Sequence, residues 1–193
     1  MKKAQFLKTT LIGFGLIGMV SSLASTPVLA DEYDGNVRLF LGQKHLDSDD
    51  WNTLDRQNEI GVIFDIKKAS WPVSIAFDVL GSGEDKNESG AERGYTIEQH
   101  LGVRKIWTLK NSKIHPYLGG GVAFVKAEYE VIDSTKDDDN AVGAWIGTGA
   151  DWHLSPKMSL GIDIRYSQAD VTVFDEEIKA GGLHTGITLG YRW

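Results

Sequence analysis

The 193-residue chain contains no cysteine, which excludes disulfide frameworks, thiolate metal centres and cysteine nucleophiles. Proline is scarce, with four residues against 22 glycines, and aromatics make up 10% of the chain. That balance suits strands, turns and curved sheet better than a compact enzyme. Positive charge is also short, 20 Lys and Arg against 27 Asp and Glu, and this argues against nucleic acid as a partner. After residue 30 no apolar run reaches the ~20 residues that a membrane-spanning helix needs.

The first thirty residues differ in kind from the rest. MKKAQFLK is basic, TTLIGFGLIGMV is apolar, and SSLASTPVLA ends on the small-residue pattern Val28-Leu29-Ala30. This is the three-part order of a secretory signal peptide, with an apolar core too short to span a bilayer. Cleavage after Ala30 is expected, leaving residues 31–193 as one domain whose net charge moves from −7 to −10.

From Asp31 onward, apolar residues recur at every second position, the period of a strand with one apolar face. Eight such runs are present, at 37–43, 59–67, 72–80, 95–107, 116–131, 142–154, 158–167 and 182–193. The run MSLGIDIRYS opposes Met158, Leu160, Ile162, Ile164 and Tyr166 to Ser159, Gly161, Asp163, Arg165 and Ser167. In PYLGGGVAFVKAEYEV the glycines blur the pattern, and the second half reads as Val125, Ala127, Tyr129 and Val131 against Lys126, Glu128 and Glu130. Short links near 67–70, 109–114 and 155–157 alternate with long acidic ones near 46–56, 81–93, 132–140 and 170–181. Antiparallel strands whose two ends face different compartments show that alternation.

The second face decides which solvent the apolar face meets. A soluble barrel would turn its apolar side inward and show long polar side chains outside. Here the polar face is crowded with glycine, including Gly42, Gly61, Gly102, Gly143, Gly147, Gly149, Gly161, Gly186 and Gly190, as a narrow lumen requires. Charges of both signs share that face. The expected lumenal network is Glu59, Asp65, Asp78, Glu98, His100, Arg104, Lys126, Glu128, Asp163, Arg165, His184 and Arg192. Trp71, Trp107, Tyr117, Tyr129, Trp152, Tyr166, Tyr191 and Trp193 lie mostly near strand ends, where an apolar ring with a polar tip suits the headgroup level. The reading is all-β: an eight-stranded antiparallel up-and-down transmembrane β-barrel.

The signal-peptide pattern, the eight alternating segments, PYLGGGVAF at 116–124 and the terminal LGYRW resemble the small eight-stranded outer-membrane barrels of the outer-membrane protein A transmembrane-domain and outer-membrane protein X types. The resemblance covers the barrel and carries no peptidoglycan-binding role. It implies a Gram-negative outer membrane, termini and short turns in the periplasm, acidic loops outside, and outer-membrane lipid and lipopolysaccharide as neighbours. It further implies that the closing strand is read by the barrel-assembly machinery through Leu189, Tyr191 and Trp193, with Trp193 where such families usually carry Phe.

Some barrels of this architecture deacylate lipid A with a His and a Ser one residue apart on a late strand, beside a carboxylate. The local match is Arg165-Tyr166-Ser167-Gln168, with Asp170 and Glu176 downstream. Arg165 stands where the base should be, and a guanidinium cannot take the Ser167 proton. Gly119-Gly120-Gly121 lacks the Lys-Ser/Thr of a phosphate loop, and no HExxH occurs. The acidic runs Asp47-Ser48-Asp49-Asp50 and Asp137-Asp138-Asp139 lack the EF-hand's glycine and glutamate and read as solvated loops. No cofactor, metal or catalytic residue is expected. The expected role is non-enzymatic, structural or surface-interacting. A narrow channel, a soluble periplasmic ligand-binding barrel and a lipid A hydrolase are the alternatives.

Overall fold

The computed structural model describes residues 33–86, 92–131 and 135–193. The signal-peptide reading of residues 1–30 lies outside them. Eight strands form the barrel: β1 (Tyr33–His45), β2 (Arg56–Lys68), β3 (Ser74–Lys86), β4 (Glu92–Ile106), β5 (Ile114–Val131), β6 (Thr135–His153), β7 (Met158–Gln168) and β10 (Leu183–Arg192). Each pairs with its sequence neighbour, and β10 closes on β1 from His45↔Leu183 to Asn36↔Arg192. Closure removes both sheet edges, which would otherwise recruit other chains. The eight alternating runs all correspond to these strands.

The alternation works as a period-two pattern must. On β7, Leu160, Ile162 and Ile164 are exposed on the outer face, while Ser159, Asp163, Arg165 and Ser167 are buried inside. Ile162 is 57% exposed and Ile187 on β10 is 61% exposed, values that are costly in water and natural against acyl chains. Inward glycines make room for the large lumenal side chains: a Cβ on Gly149 would collide with the Tyr117 hydroxyl.

One strand departs from the expectation. On β5 the odd residues Tyr117, Ala123, Val125 and Ala127 are buried, while Val122, Phe124 and Lys126 are exposed. The alternation runs unbroken through the three glycines, so the second half of this strand faces opposite to its sequence reading. Lys126 and Glu128 are therefore outside the lumen, paired with Asp138 at 2.6 Å and Lys136 at 3.0 Å. Tyr117 lies in the lumen, and Tyr129 packs on the buried apolar cluster at the loop end, so neither belongs to an outer girdle. The physical reason is that this part of the interior is apolar, and Val125 and Ala127 satisfy it.

The long connections are structured where they are described. The β1–β2 link holds a helix α1 (Ser48–Trp51) and a 3-10 turn at Asn52–Leu54. Strand β6 starts at Thr135 and so takes in residues 135–140 of the expected 132–140 loop, which makes the Asp137–Asp139 run strand. Between β7 and β10 stands a hairpin, β8 (Asp170–Val173) and β9 (Glu176–Lys179). Its turn residues Phe174 and Asp175 have φ of 52° and 63°, the conformation that hairpins usually assign to Asn-Gly. Trp51, Leu54, Val125, Val171 and Val173 bury together as a plug at this end.

Candidate functional site

All eight barrel strands contribute to a buried polar core, arranged in two layers. The layer toward the short turns centres on three guanidiniums. Arg38 from β1 donates to Asp65 at 2.5 Å and to Asp151 at 2.9 Å. Arg104 from β4 donates to the same Asp65 at 2.5 Å and to Asp78 at 2.6 Å. Arg165 from β7 donates to Asp78 at 2.8 Å and to Asp163 at 2.7 and 2.9 Å. Tyr117 donates its hydroxyl to Asp163 at 2.6 Å. Each of these carboxylates thus has a cation beside it, the condition under which charge survives burial. Aromatic faces cover the cations as well: Arg38 sits 4.6 Å from the Tyr117 ring centre, and Arg165 5.8 Å from that of Trp145.

The layer toward the loops holds the histidines. Lys44 donates to Glu98 at 2.5 Å, to Thr96 at 2.8 Å and to the Ala180 carbonyl at 2.7 Å. His100 Nε2 lies 2.7 Å from Glu98, and its ring stacks on Trp145. His184 Nδ1 lies 2.8 and 3.0 Å from the Glu59 carboxylate, and its Nε2 lies 3.1 Å from Ser167 Oγ. Ser167, His184 and Glu59 therefore hold the mutual spacing of a nucleophile, a base and its orienting carboxylate. On β7 itself, Arg165 stands where a base for Ser167 would be expected from the sequence. The imidazole comes instead from β10, across a strand pair that only the barrel register specifies. Chemically the arrangement is closed: Ser167 and His184 have no exposed surface. Ser167 Oγ also donates to Glu98 at 3.1 Å, which sets a carboxylate where an electrophile would have to sit.

Of the sequence-predicted network, the structure brings together Glu59, Asp65, Asp78, Glu98, His100, Arg104, Asp163, Arg165 and His184 in the lumen. Lys126 and Glu128 stand outside it. Arg192 sits at the turn-end mouth against His153, 3.0 Å from Nδ1, apart from the carboxylate layers. Arg38, Lys44 and Asp151 are charged members absent from the predicted network. Parity carries the signal for all three, since Arg38 and Lys44 share one face of β1, and Asp151 shares its face with Trp145. Among the described residues, no group of three or more His, Asp or Glu is arranged to hold a metal.

The acidic runs act as fasteners for the loop end rather than as solvated tips. Asp47 caps α1 by accepting from the Asp49 amide at 3.0 Å and pairs with Lys179 at 2.6 Å. Asp50 accepts from the Lys179 amide at 2.9 Å, and Trp51 Nε1 donates to the Lys179 carbonyl at 2.8 Å. On the other edge of the hairpin, Asp139 accepts from the Thr172 amide at 2.8 Å and Asp137 from the Phe174 amide at 2.7 Å. The Lys179 ammonium and the Asp49 amide hold the Asp47 carboxyl below the usual carboxylate range, and Asp47 in turn raises Lys179.

Just past β10, the backbone of Trp193 exchanges two 3.1 Å hydrogen bonds with Gly35. A Cβ on Gly35 would collide with the Trp193 ring, which continues toward Phe64 of β2 at 6.0 Å between centres. The last residue thus lies across the seam of first and last strands.

The model of the outer membrane protein beta-barrel domain family matches residues 16–193. The chain belongs to that family. It is an outer-membrane β-barrel, and the exposed isoleucines and the paired lumen follow from that setting. Among solved structures, Neisserial surface protein A is 15% identical, with 83% of this chain and 95% of that one covered and a TM-score of 0.57. The attachment invasion locus protein Ail of Yersinia pestis, in complex with the heparin analogue sucrose octasulfate, is 12% identical, with 84% and 99% covered and a TM-score of 0.60. A major outer membrane protein from Thermus thermophilus is 13% identical, with 83% and 99% covered and a TM-score of 0.53. At these identities the likeness is one of fold. No curated protein matches the chain by sequence.

Proposed function

We propose that this outer-membrane barrel acts without catalysis, as a surface-interaction protein whose working part is its acidic loop end. The observation that carries the reading is the filled interior. Guanidiniums and carboxylates bridge the lumen from every side, and the Trp51 plug lies above them. A side-chain-filled lumen supports neither a diffusion path nor access to Ser167. What is left to meet a partner is the loop end, where the described residues 46–56, 84–86, 92–93, 126–131, 135–140 and 170–179 carry 16 carboxylates and six Lys or Arg. Such a surface suits a cationic partner. Ail was crystallised with a polysulfated ligand; the excess charge here has the sign that would repel one.

The test is binding by the folded protein in lipid nanodiscs to immobilised polylysine and to heparin. Salt-sensitive binding to polylysine, weakened by the triple variant D170N/E176Q/E177Q, is expected. Preference for heparin, or no binding to polylysine, would overturn the reading. The Ser167–His184–Glu59 geometry favours a second reading, a serine hydrolase. Labelling of the folded protein by a fluorophosphonate, lost in Ser167→Ala, would establish it; no labelling is the expected result.

A further inference from the structure

The end of the barrel opposite the acidic loops is basic and aromatic, and this asymmetry carries a lipid preference. Lys67 and Lys68 end β2, Lys105 lies at the end of β4, Lys110 and Lys113 lie in the β4–β5 turn, and Lys157 lies in the β6–β7 turn. Six of the eleven lysines that follow residue 30 thus lie in three short segments, 67–73, 105–114 and 154–158, that contain no Asp or Glu. Asp34 is the one exposed side-chain carboxylate described at this end. Tryptophan is concentrated there too. Trp71, Trp107, Trp152 and Trp193 stand at the turn end, with Trp107 42% and Trp152 54% exposed on the outer face. The other two tryptophans, Trp51 and Trp145, are buried inside the barrel. The lysines are set against this ring: Lys105 donates to the Pro72 carbonyl at 2.7 Å, and the Lys157 ammonium lies 6.0 Å from the Tyr191 ring centre.

Indole rings settle at the boundary between acyl chains and headgroups, so the flanking ammonium groups are held at the depth of lipid phosphates. Resting on the membrane-barrel reading, we infer that this collar selects anionic phospholipid headgroups in the leaflet it faces. The attraction is electrostatic and accordingly sensitive to salt. It also gives the barrel a fixed sense, since the acidic end is repelled by the same headgroups.

The placement of tryptophan supplies the readout. The folded protein is reconstituted in phosphatidylcholine vesicles containing an equal fraction of either brominated phosphatidylglycerol or brominated phosphatidylcholine. Bromine quenches nearby indoles, and only the four collar tryptophans can meet it. At low salt, quenching by the brominated phosphatidylglycerol is expected to report about two- to fourfold enrichment over the zwitterionic lipid. That enrichment should fall toward unity in about 0.5 M salt and in the triple variant K110Q/K113Q/K157Q, whose three positions are exposed. Equal quenching by the two lipids overturns the inference and leaves the membrane barrel standing, as does enrichment indifferent to both salt and the variant. Quenching by neither lipid would remove the membrane reading and the inference together.

Discussion

Asp78 is the acceptor shared by Arg104 and Arg165, so Asp78→Ala leaves two buried guanidiniums short of a partner. Breaking a buried pair from one side costs about 3–5 kcal/mol. Lys126→Ala, at a pair whose side chains are 45% and 39% exposed, should change stability by about 0–1 kcal/mol. Urea unfolding of both variants in detergent micelles, followed by tryptophan fluorescence, checks the contrast; a Lys126 in the lumen would give comparable losses. On the outer face, Ile162→Arg should cost about 2–4 kcal/mol if that site lies near the bilayer midplane, measured by unfolding from lipid vesicles. Asp78 and Arg104 were legible as lumenal from parity alone. The sequence alone misplaces Lys126, because three consecutive glycines carry no side chain with which to mark a face and the charge beyond them reads as the polar side.

The β8–β9 hairpin is held by carboxylates along both edges, from Asp137 and Asp139 on one side and Asp50 on the other. A hydrogen bond to a charged acceptor contributes about 1.5–3 kcal/mol. Asp137→Ala with Asp139→Ala should therefore speed amide exchange at Thr172 and Phe174 at least about tenfold, leaving the β7–β10 amides unchanged; equal exchange would show that the plug alone holds the hairpin. The Asp47–Lys179 pair gives this element a pH window. The lowered carboxyl steadies the loop above the ordinary aspartate value of about 3.9 and ceases to do so as pH falls through its folded value. The raised ammonium does so below about 10.4 and is lost as pH rises past its own folded value. Exchange at the Lys179 amide should be protected at neutral pH and lose protection at both extremes. The sequence concealed this hairpin because Phe174-Asp175 is not a turn signal, and four-residue strands are too short for a clear period.

The closed register from β1 to β10 and the bridged lumen make the barrel one cooperative unit. It should migrate differently on SDS gels before and after boiling, since paired strands and a filled interior resist detergent until heated. Identical migration would show that the closed barrel does not survive in micelles. The same filled lumen predicts no discrete conductance in planar bilayers, and regular steps would favour the channel alternative. Charge is segregated along the barrel axis, with carboxylates crowded at the loop end and lysines at the turn end. This segregation was present in the order of long and short links before any coordinates.

The sequence by itself determined the number of barrel strands and the membrane-facing side of nearly every one of them, because a period of two records which face is apolar. It did not determine who meets whom inside. Arg38 and Asp151 are 113 residues apart, and Glu59 and His184 are 125 apart; parity sends each side chain inward without naming its partner across the lumen. Only the register and the narrow bore of an eight-stranded barrel decided those contacts. They turned a scattered serine, histidine and glutamate into a buried triad and a run of aspartates into the clasp of a hairpin. They also laid Trp193 across the seam that it closes.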